Sequence, residues 1–288
     1  MDYKLKIIKG NDVIKKFKLE NGNKVKIFEK KDLKNKLGFS ADEIKIVMRY
    51  QKDFPELLQE HTDNDYIINA RVLWERLENP YNQYTHWMER KVFKKSYVEN
   101  IDYISIGKKT YIENTNITRN QIDTFFTVDA AKHIAMSENS EKGREVRSYF
   151  ILMERAMRDM EKWIMVRNPE KEGYNQLMDA VKSNYMLTHS GKEPHFGVYS
   201  NEGDMINVCL LGARAKEIRA LLEVKDNQTR DNLTTQINKA IYELQIMDIG
   251  LLMGQLDFSQ RKATLLKMCK NKYSHIYLQS NKLLSEAV

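Results

Sequence analysis

Six histidines, His61, His86, His133, His189, His195 and His275, carry the widest chemical repertoire in the chain, and none has a second His or Cys at the spacing a zinc site uses. His189 and His195 share one predicted loop, where solvated surface residues are the simpler reading, because a metal site needs a full ligand set. The glycines never cluster into a loop that could cradle a phosphate. Cys209 and Cys269 stand apart without a CxxC interval, so they read as small buried apolar residues rather than a disulfide or metal pair. Carboxylates are spread among comparable numbers of Lys and Arg on helices, where surface ion pairs are the default. No nucleophile has a plausible base. The reading is a protein that is not an enzyme, with no catalytic, cofactor-binding or metal-ligating residues and no cofactor.

Charge is more informative than any nucleophile. Residues 1–37 hold 12 Lys against Asp2, Asp12, Glu20, Glu29 and Asp32, a surplus of seven that equals the net +7 of all 288 residues. The rest of the chain is therefore neutral overall. A basic surplus confined to one terminal module suggests polyanion contact there, through Lys24, Lys26, Lys30, Lys31, Lys34, Lys36 and Lys45. The alternative is a solvated lysine-rich surface.

Elements that would position these groups follow from periodicity. Asn21-Gly22 lies between Phe17/Leu19 and Val25/Ile27, a hairpin signal, since a type I′ turn needs positive φ at both centres. A helix from about Lys30 ends at Gly38, and Ser40 with Glu43 three residues on forms a capping box for the next. The pair makes a helix-turn-helix pattern, although Asp42 and Glu43 bring the wrong sign to phosphate at the start of its second helix. A short strand at Tyr66–Ile68 leads into a helix capped by Asn69. A further helix runs from about Asn82 to Val92. DYISIG and QIDTFFTV are strand-like around the polar connector KKTYIENTNITR, giving a winged order, and Thr127 caps VDAAKHIAMS.

A long helix begins at Glu141, with Val146, Phe150, Met153, Met157, Met160 and Ile164 on one stripe. Core burial is the default for such a stripe. Phe150, Met153, Met157, Met160 and Ile164 also form a short heptad seam on which two chains could pair into a homo-oligomer. VRNPEKEGY reads as a polar linker before a helix from about Tyr174 to Leu187, and only helices follow from Ser200 onward.

The expected fold class is mainly α with small β hairpins (α+β): winged-helix-like N-terminal modules, a long connecting helix and a C-terminal helical domain. The expected divisions are 1–60, a basic hairpin with a helix-turn-helix-like module; 61–166, ending in the long helix; 167–197, a linker with one helix; and 198–288, helical. No run of 18 apolar residues and no apolar leader region is present, so a soluble, cytoplasmic protein without membrane contact is expected.

INARVLWERL, YTHWMERKV, YVENIDYIS and FFTVDAAKHIAMSENSEKGREVRSYFILMER, over about residues 66–160, resemble the AntA/AntB phage antirepressor family. Tyr84 stands where that family often has Phe, and the connector before FFTV differs. KVKIFEKKDLKNKLGFS resembles the start of a BRO-type phage domain, and the C-terminal helices resemble tails of phage antirepressors. The resemblance implies a phage or prophage protein, in the cytoplasm of a bacterial host, that binds a phage repressor and blocks its operator binding, favouring lytic induction. Such a role needs a shaped surface, and Tyr81, Tyr84 and Trp87 are candidate interface anchors, with core burial the simpler expectation for Trp87. The competing class is a DNA-binding phage transcriptional regulator that uses the basic N-terminal module, and an interaction protein aimed at a host factor is a third.

Overall fold

The computed structural model describes residues 16–18, 24–58, 62–111 and 118–277. They form two compact units: residues up to 30 with 40–158, and 31–39 with those from 159 onward. The architecture is mainly α with small antiparallel sheets. No helix among the described residues is long and apolar enough to cross a membrane.

In the first unit, β1 (Lys16–Lys18) pairs antiparallel with β2 (Lys24–Lys26), Phe17 opposite Val25. The expected Asn21-Gly22 turn lies outside the described residues. Helix α1 (Ala41–Tyr50) starts as its sequence dictates, with Ser40 and Glu43 capping each other reciprocally. Its C-cap residue Gln51 is fully buried and meets both backbone groups of Phe28, accepting from its N–H at 3.0 Å and donating to its carbonyl at 3.1 Å. The amide thus replaces a missing strand partner for the chain leaving β2.

The main sheet has the order β3 (Ile68–Asn69), β5 (Thr118–Phe126), β4 (Tyr103–Tyr111), all antiparallel, with Phe126 opposite both Ile68 and Tyr103. Its two long strands absorb both ends of KKTYIENTNITR, the expected polar connector. Backbone ladder bonds need no apolar alternation, so polar residues continue the hairpin past the buried base. Asn69 accepts from Arg71 and Val72 N–H and starts α2 (Ala70–Arg76). Helix α3 (Tyr84–Met88) continues into a wide helical turn, Glu89–Phe93. Thr127 caps α4 (Val128–Ser137) through Ala130 N–H. The core holds Leu73, Trp87, Val92, Phe126 and Ile134, and a separate aromatic group of Phe54, Tyr149 and Phe150.

Helix α5 (Glu141–Thr188) is continuous for 48 residues and has Pro169 inside it. The expected linker at VRNPEKEGY is therefore helix. Pro169 removes the donor for the Met165 carbonyl, but both residues face solvent, where a freed carbonyl is least costly. On the opposite side the buried stripe stays in phase through Trp163, Arg167, Glu170, Gly173, Leu177 and Val181. Charged and glycine members made that stripe look like linker.

The second unit packs this part of α5 with α6 (Phe196–Leu211), α7 (Ala215–Leu221), α8 (Thr235–Met253) and α9 (Phe258–Lys272) around Leu177, Ile206, Leu210, Ile241, Leu244 and Leu265. Cys209 and Cys269 are free and buried in this core, and burial pushes their thiols up to about 11 and about 12. Arg261, also buried, holds Asp248 at 2.7 Å and Glu202 at 2.6 Å. The turn Asp32–Lys36 packs on the turn Thr229–Asn232. The two arms of the helix-turn-helix pattern thus belong to different units, Asp32–Lys36 to the second and α1 to the first. That pattern read only local spacing, whereas Leu33 buries itself in partners distant in sequence.

Candidate functional site

Among the described residues no group of His, Cys, Asp and Glu could hold a metal ion. The first unit has a cleft of about 800 Å³, bordered by Tyr81, by Arg90 and Lys91 in the turn after α3, by residues 95–97 and Asp102, and by α4. Its rim is set by the loop that leaves α2. Glu78 and Asn79 close that helix through N–H bonds to the Glu75 and Trp74 carbonyls, both at 3.1 Å. The loop then keeps four non-glycine residues in the left-handed region: Glu78 (φ 65), Asn79 (φ 53), Tyr81 (φ 65) and Asn82 (φ 58). Asn tolerates this conformation; Glu and Tyr do so at a cost of about 1–2 kcal/mol each. Trp74 fixes the loop by donating its indole N–H to the Pro80 carbonyl at 3.0 Å.

Tyr81 is 43% exposed, and the Arg90 guanidinium lies 5.2 Å from its ring centre. Lys91 points inward and is fully engaged, pairing with Glu138 at 3.1 Å and donating to the Ser137 carbonyl at 3.0 Å. Glu138 in turn accepts the Trp87 indole N–H at 3.1 Å. By contrast, Arg90 and Lys95 have no carboxylate within ion-pair distance among the described residues. Deeper in the cleft, burial raises the Tyr97 pKa, and the carboxylates of Asp102 and Asp129 add to it. The Asp102 carboxylate accepts the Val98 N–H at 2.7 Å, bracing the segment. Val98 and Ile101 on that segment, and Phe93 at the end of the turn before it, are also exposed. The face therefore combines exposed apolar residues with the cations Arg90 and Lys95 and with the Asp102 and Asp129 carboxylates, the latter 3.7 Å from His133.

Of the three aromatic candidates only Tyr81 is exposed. Trp87 is fully buried with its N–H satisfied, a core residue rather than an anchor. Tyr84 is half-buried between Trp74 and Arg71, with its pKa raised chiefly by burial. Periodicity placed both on a helix but could not say which side faced the core.

The seam residues separate likewise. Phe150 and Met153 are buried within the first unit, Met157 and Met160 are half-buried, and Ile164 is 44% exposed. Phe150 and Met153 are thereby removed from any surface between chains, because Phe54 and Tyr149 pack with Phe150. The lysines also divide. Lys24 and Lys26 lie on β2; Lys30 and Lys45 are exposed in the first unit; Lys31, Lys34 and Lys36 belong to the second. Lys31 pairs with Asp226 at 3.5 Å. Lys36 pairs with Asp32 at 2.8 Å and lies 4.6 Å from the centre of the Trp163 ring, so it is committed internally.

Sequence reasoning missed Arg90, Lys95, Tyr97, Asp102 and Asp129. The one local signal was Asn-Pro-Tyr-Asn at 79–82, a turn-forming run that marks a strained loop but not its neighbours. No curated protein matches the chain. Residues 68–140, about a quarter of the chain and the part that builds the cleft, match the model of the AntA/AntB antirepressor family, so this part of the chain is similar to that family.

Proposed function

We propose that the chain is a phage or prophage antirepressor that captures a phage repressor on the Tyr81–Arg90–Lys95 face and so keeps it from its operator, acting in the cytoplasm of the bacterial host. The observation that carries this reading is that Arg90 and Lys95, without a carboxylate partner among the described residues, stand beside an exposed tyrosine that a strained loop holds in place. Exposed aromatic and Arg side chains are the residue types that dominate binding energy at interfaces, and free cations select a partner surface rich in carboxylates. The similarity to the antirepressor family supports a regulatory role in which binding, not turnover, is the activity.

DNA contact through the basic N-terminal module has less support, since Lys31 and Lys36 already have carboxylate partners and the two helical arms lie in different units. A homo-oligomer paired along α5 would have to use exposed residues such as Ile164 and Met165 rather than Phe150 and Met153.

Affinity purification of the full chain from a lysogen tests the reading, with Arg90→Glu/Lys95→Glu as the comparison. The wild type is expected to retain a repressor and the doubly reversed variant, with unchanged circular dichroism, to bind it about 100-fold less tightly or worse, since each like-charge contact costs several kcal/mol. Repressor capture by the variant at unchanged affinity overturns the assignment of the face. An eluate without a repressor overturns the antirepressor reading.

A further inference from the structure

In the order β3, β5, β4, strand β4 is the outer strand of the main sheet of the first unit. Its ladder phase is set by the Thr127 N–H, which donates to the Asp102 carbonyl at 2.9 Å. Bonding alternates from that pair, so Ile104 and Ile106 turn their backbone groups toward β5, while Tyr103, Ser105 and Gly107 turn theirs away. The Tyr103 carbonyl agrees, accepting the Asn100 N–H from outside the sheet at 2.8 Å. Beyond it, the outward N–H and C=O of Ser105 and Gly107 have no hydrogen-bond partner among the described residues, and both residues are exposed.

A free edge of this kind is normally guarded by charge, by a bulge or by brevity. Here the strand is nine residues long, and its stretch from Tyr103 to Gly107 carries no charge. Apolar side chains gather there instead: Ile106 is 50% exposed, and Val98 and Ile101 stand exposed just before the strand. Gly107 is not demanded by the fold, since its φ is not left-handed and a Cβ there would meet nothing within 4 Å. A glycine inside a strand often marks the close approach of another backbone.

We propose that this edge pairs with β4 of a second copy of the chain, antiparallel about a two-fold axis at Ile106, so that one sheet runs through the dimer. The strand is complementary to itself in this register. Ser105 and Gly107 of one copy hydrogen-bond with Gly107 and Ser105 of the other, and Ile106 meets its own counterpart at a non-hydrogen-bonded position, where side chains lie closest. Glu99 and Asp102 precede Tyr103, and Lys108 and Lys109 follow Gly107, so antiparallel pairing sets the basic half of each strand toward the acidic start of the other. Moving the axis to Gly107 would set Ile106 opposite Lys108, and moving it to Lys108 would oppose two lysines. Pairing stops at Tyr103, whose carbonyl Asn100 already holds, which makes the interface short and the dimer weak. The pairing uses no residue of the α5 seam and stands independently of the repressor-binding reading.

Sedimentation velocity of the full chain at about 100 µM, a concentration suited to a small interface, provides the test. Dimer is expected in the wild type. Ile106→Lys sets like charges opposite each other across the axis while Asp123 stands beside it on β5, so it should weaken dimerisation about tenfold or more with unchanged circular dichroism. Ile106→Cys should give a disulfide-linked dimer on mild oxidation, because the axis brings the two Cα atoms into bridging range. Ile122→Cys, at a position 62% exposed on β5, should not. Cys209 and Cys269 are buried and do not compete. A monomeric wild type, which would leave the edge to a strand of another protein, overturns the proposal. So does a dimer unchanged by Ile106→Lys, or crosslinking of Ile122→Cys as readily as of Ile106→Cys.

Discussion

Tyr50, the last residue of α1, donates its hydroxyl to Glu145 in the first turns of α5 at 2.6 Å, and Arg49 reaches the same carboxylate oxygen at 3.0 Å. Glu43 and Arg155 repeat the connection two turns along, at 2.8 Å. Within the first unit these bonds fasten α1 to the helix on whose inner face Tyr149, Phe150 and Met153 are buried.

Tyr50→Phe should therefore destabilise the first unit by about 1 kcal/mol at neutral pH. The Tyr50 hydrogen bond is the largest influence holding the Glu145 pKa below its ordinary value, so this stability is present above the ordinary carboxylate range and is lost as pH falls through the lowered pKa. Urea unfolding at pH 7 and pH 3.5 checks this. A difference between wild type and variant that is as large at pH 3.5 as at pH 7 would contradict it.

The buried triad of the second unit has the opposite sign. Burial pushes the Asp248 carboxyl up to about 6, against the pull of Arg261. Its folded pKa lies above its unfolded one, so stability falls, on this group's account, as pH rises from about 4 to about 6. Asp248→Asn should flatten that slope. Arg261→Met, which strands two buried carboxylates, should cost about 3–5 kcal/mol at neutral pH. Equilibrium unfolding across this pH window reads both; a steeper slope in the Asp248→Asn protein refutes the assignment.

Gly173 marks a close approach of α8 to α5. A Cβ there would stand 2.9 Å from Gln245 Oε1 and 2.9 Å from the Tyr242 ring. Gln245 is buried and donates to Glu170 at 2.8 Å, so it cannot move away freely. Gly173→Ala should cost about 1–3 kcal/mol despite its higher helix propensity. A gain in thermal midpoint would show that the helices separate without penalty.

The strained loop offers a stabilising change. Glu78 occupies the position after the α2 cap where glycine is favoured, at φ 65 with its N–H already bonded to Glu75. Glu78→Gly should stabilise the unit by about 0.5–1 kcal/mol, the left-handed strain less the entropy cost of glycine. Binding at the proposed Tyr81 face should be unaffected, since Trp74 still holds the neighbouring Pro80 carbonyl. A lower urea midpoint would refute the strain argument.

Local hydrogen bonding explains what was legible beforehand. Ser40, Asn69 and Thr127 cap helices within three residues of themselves, the hairpin order follows from alternation and turn chemistry, and the antirepressor-type segment was recognisable from contiguous text. Each of these depends on atoms a few residues apart, so the sequence by itself determined them. The continuity of α5 through Pro169, the transfer of Asp32–Lys36 to the second unit, and the burial of Trp87 beside the exposure of Tyr81 were decided only by the tertiary structure. So was the placement of Arg90 and Lys95 without carboxylate partners among the described residues. Whether a cation is neutralised or an aromatic ring is covered depends on groups brought near by packing, and periodicity along one helix carries no record of them.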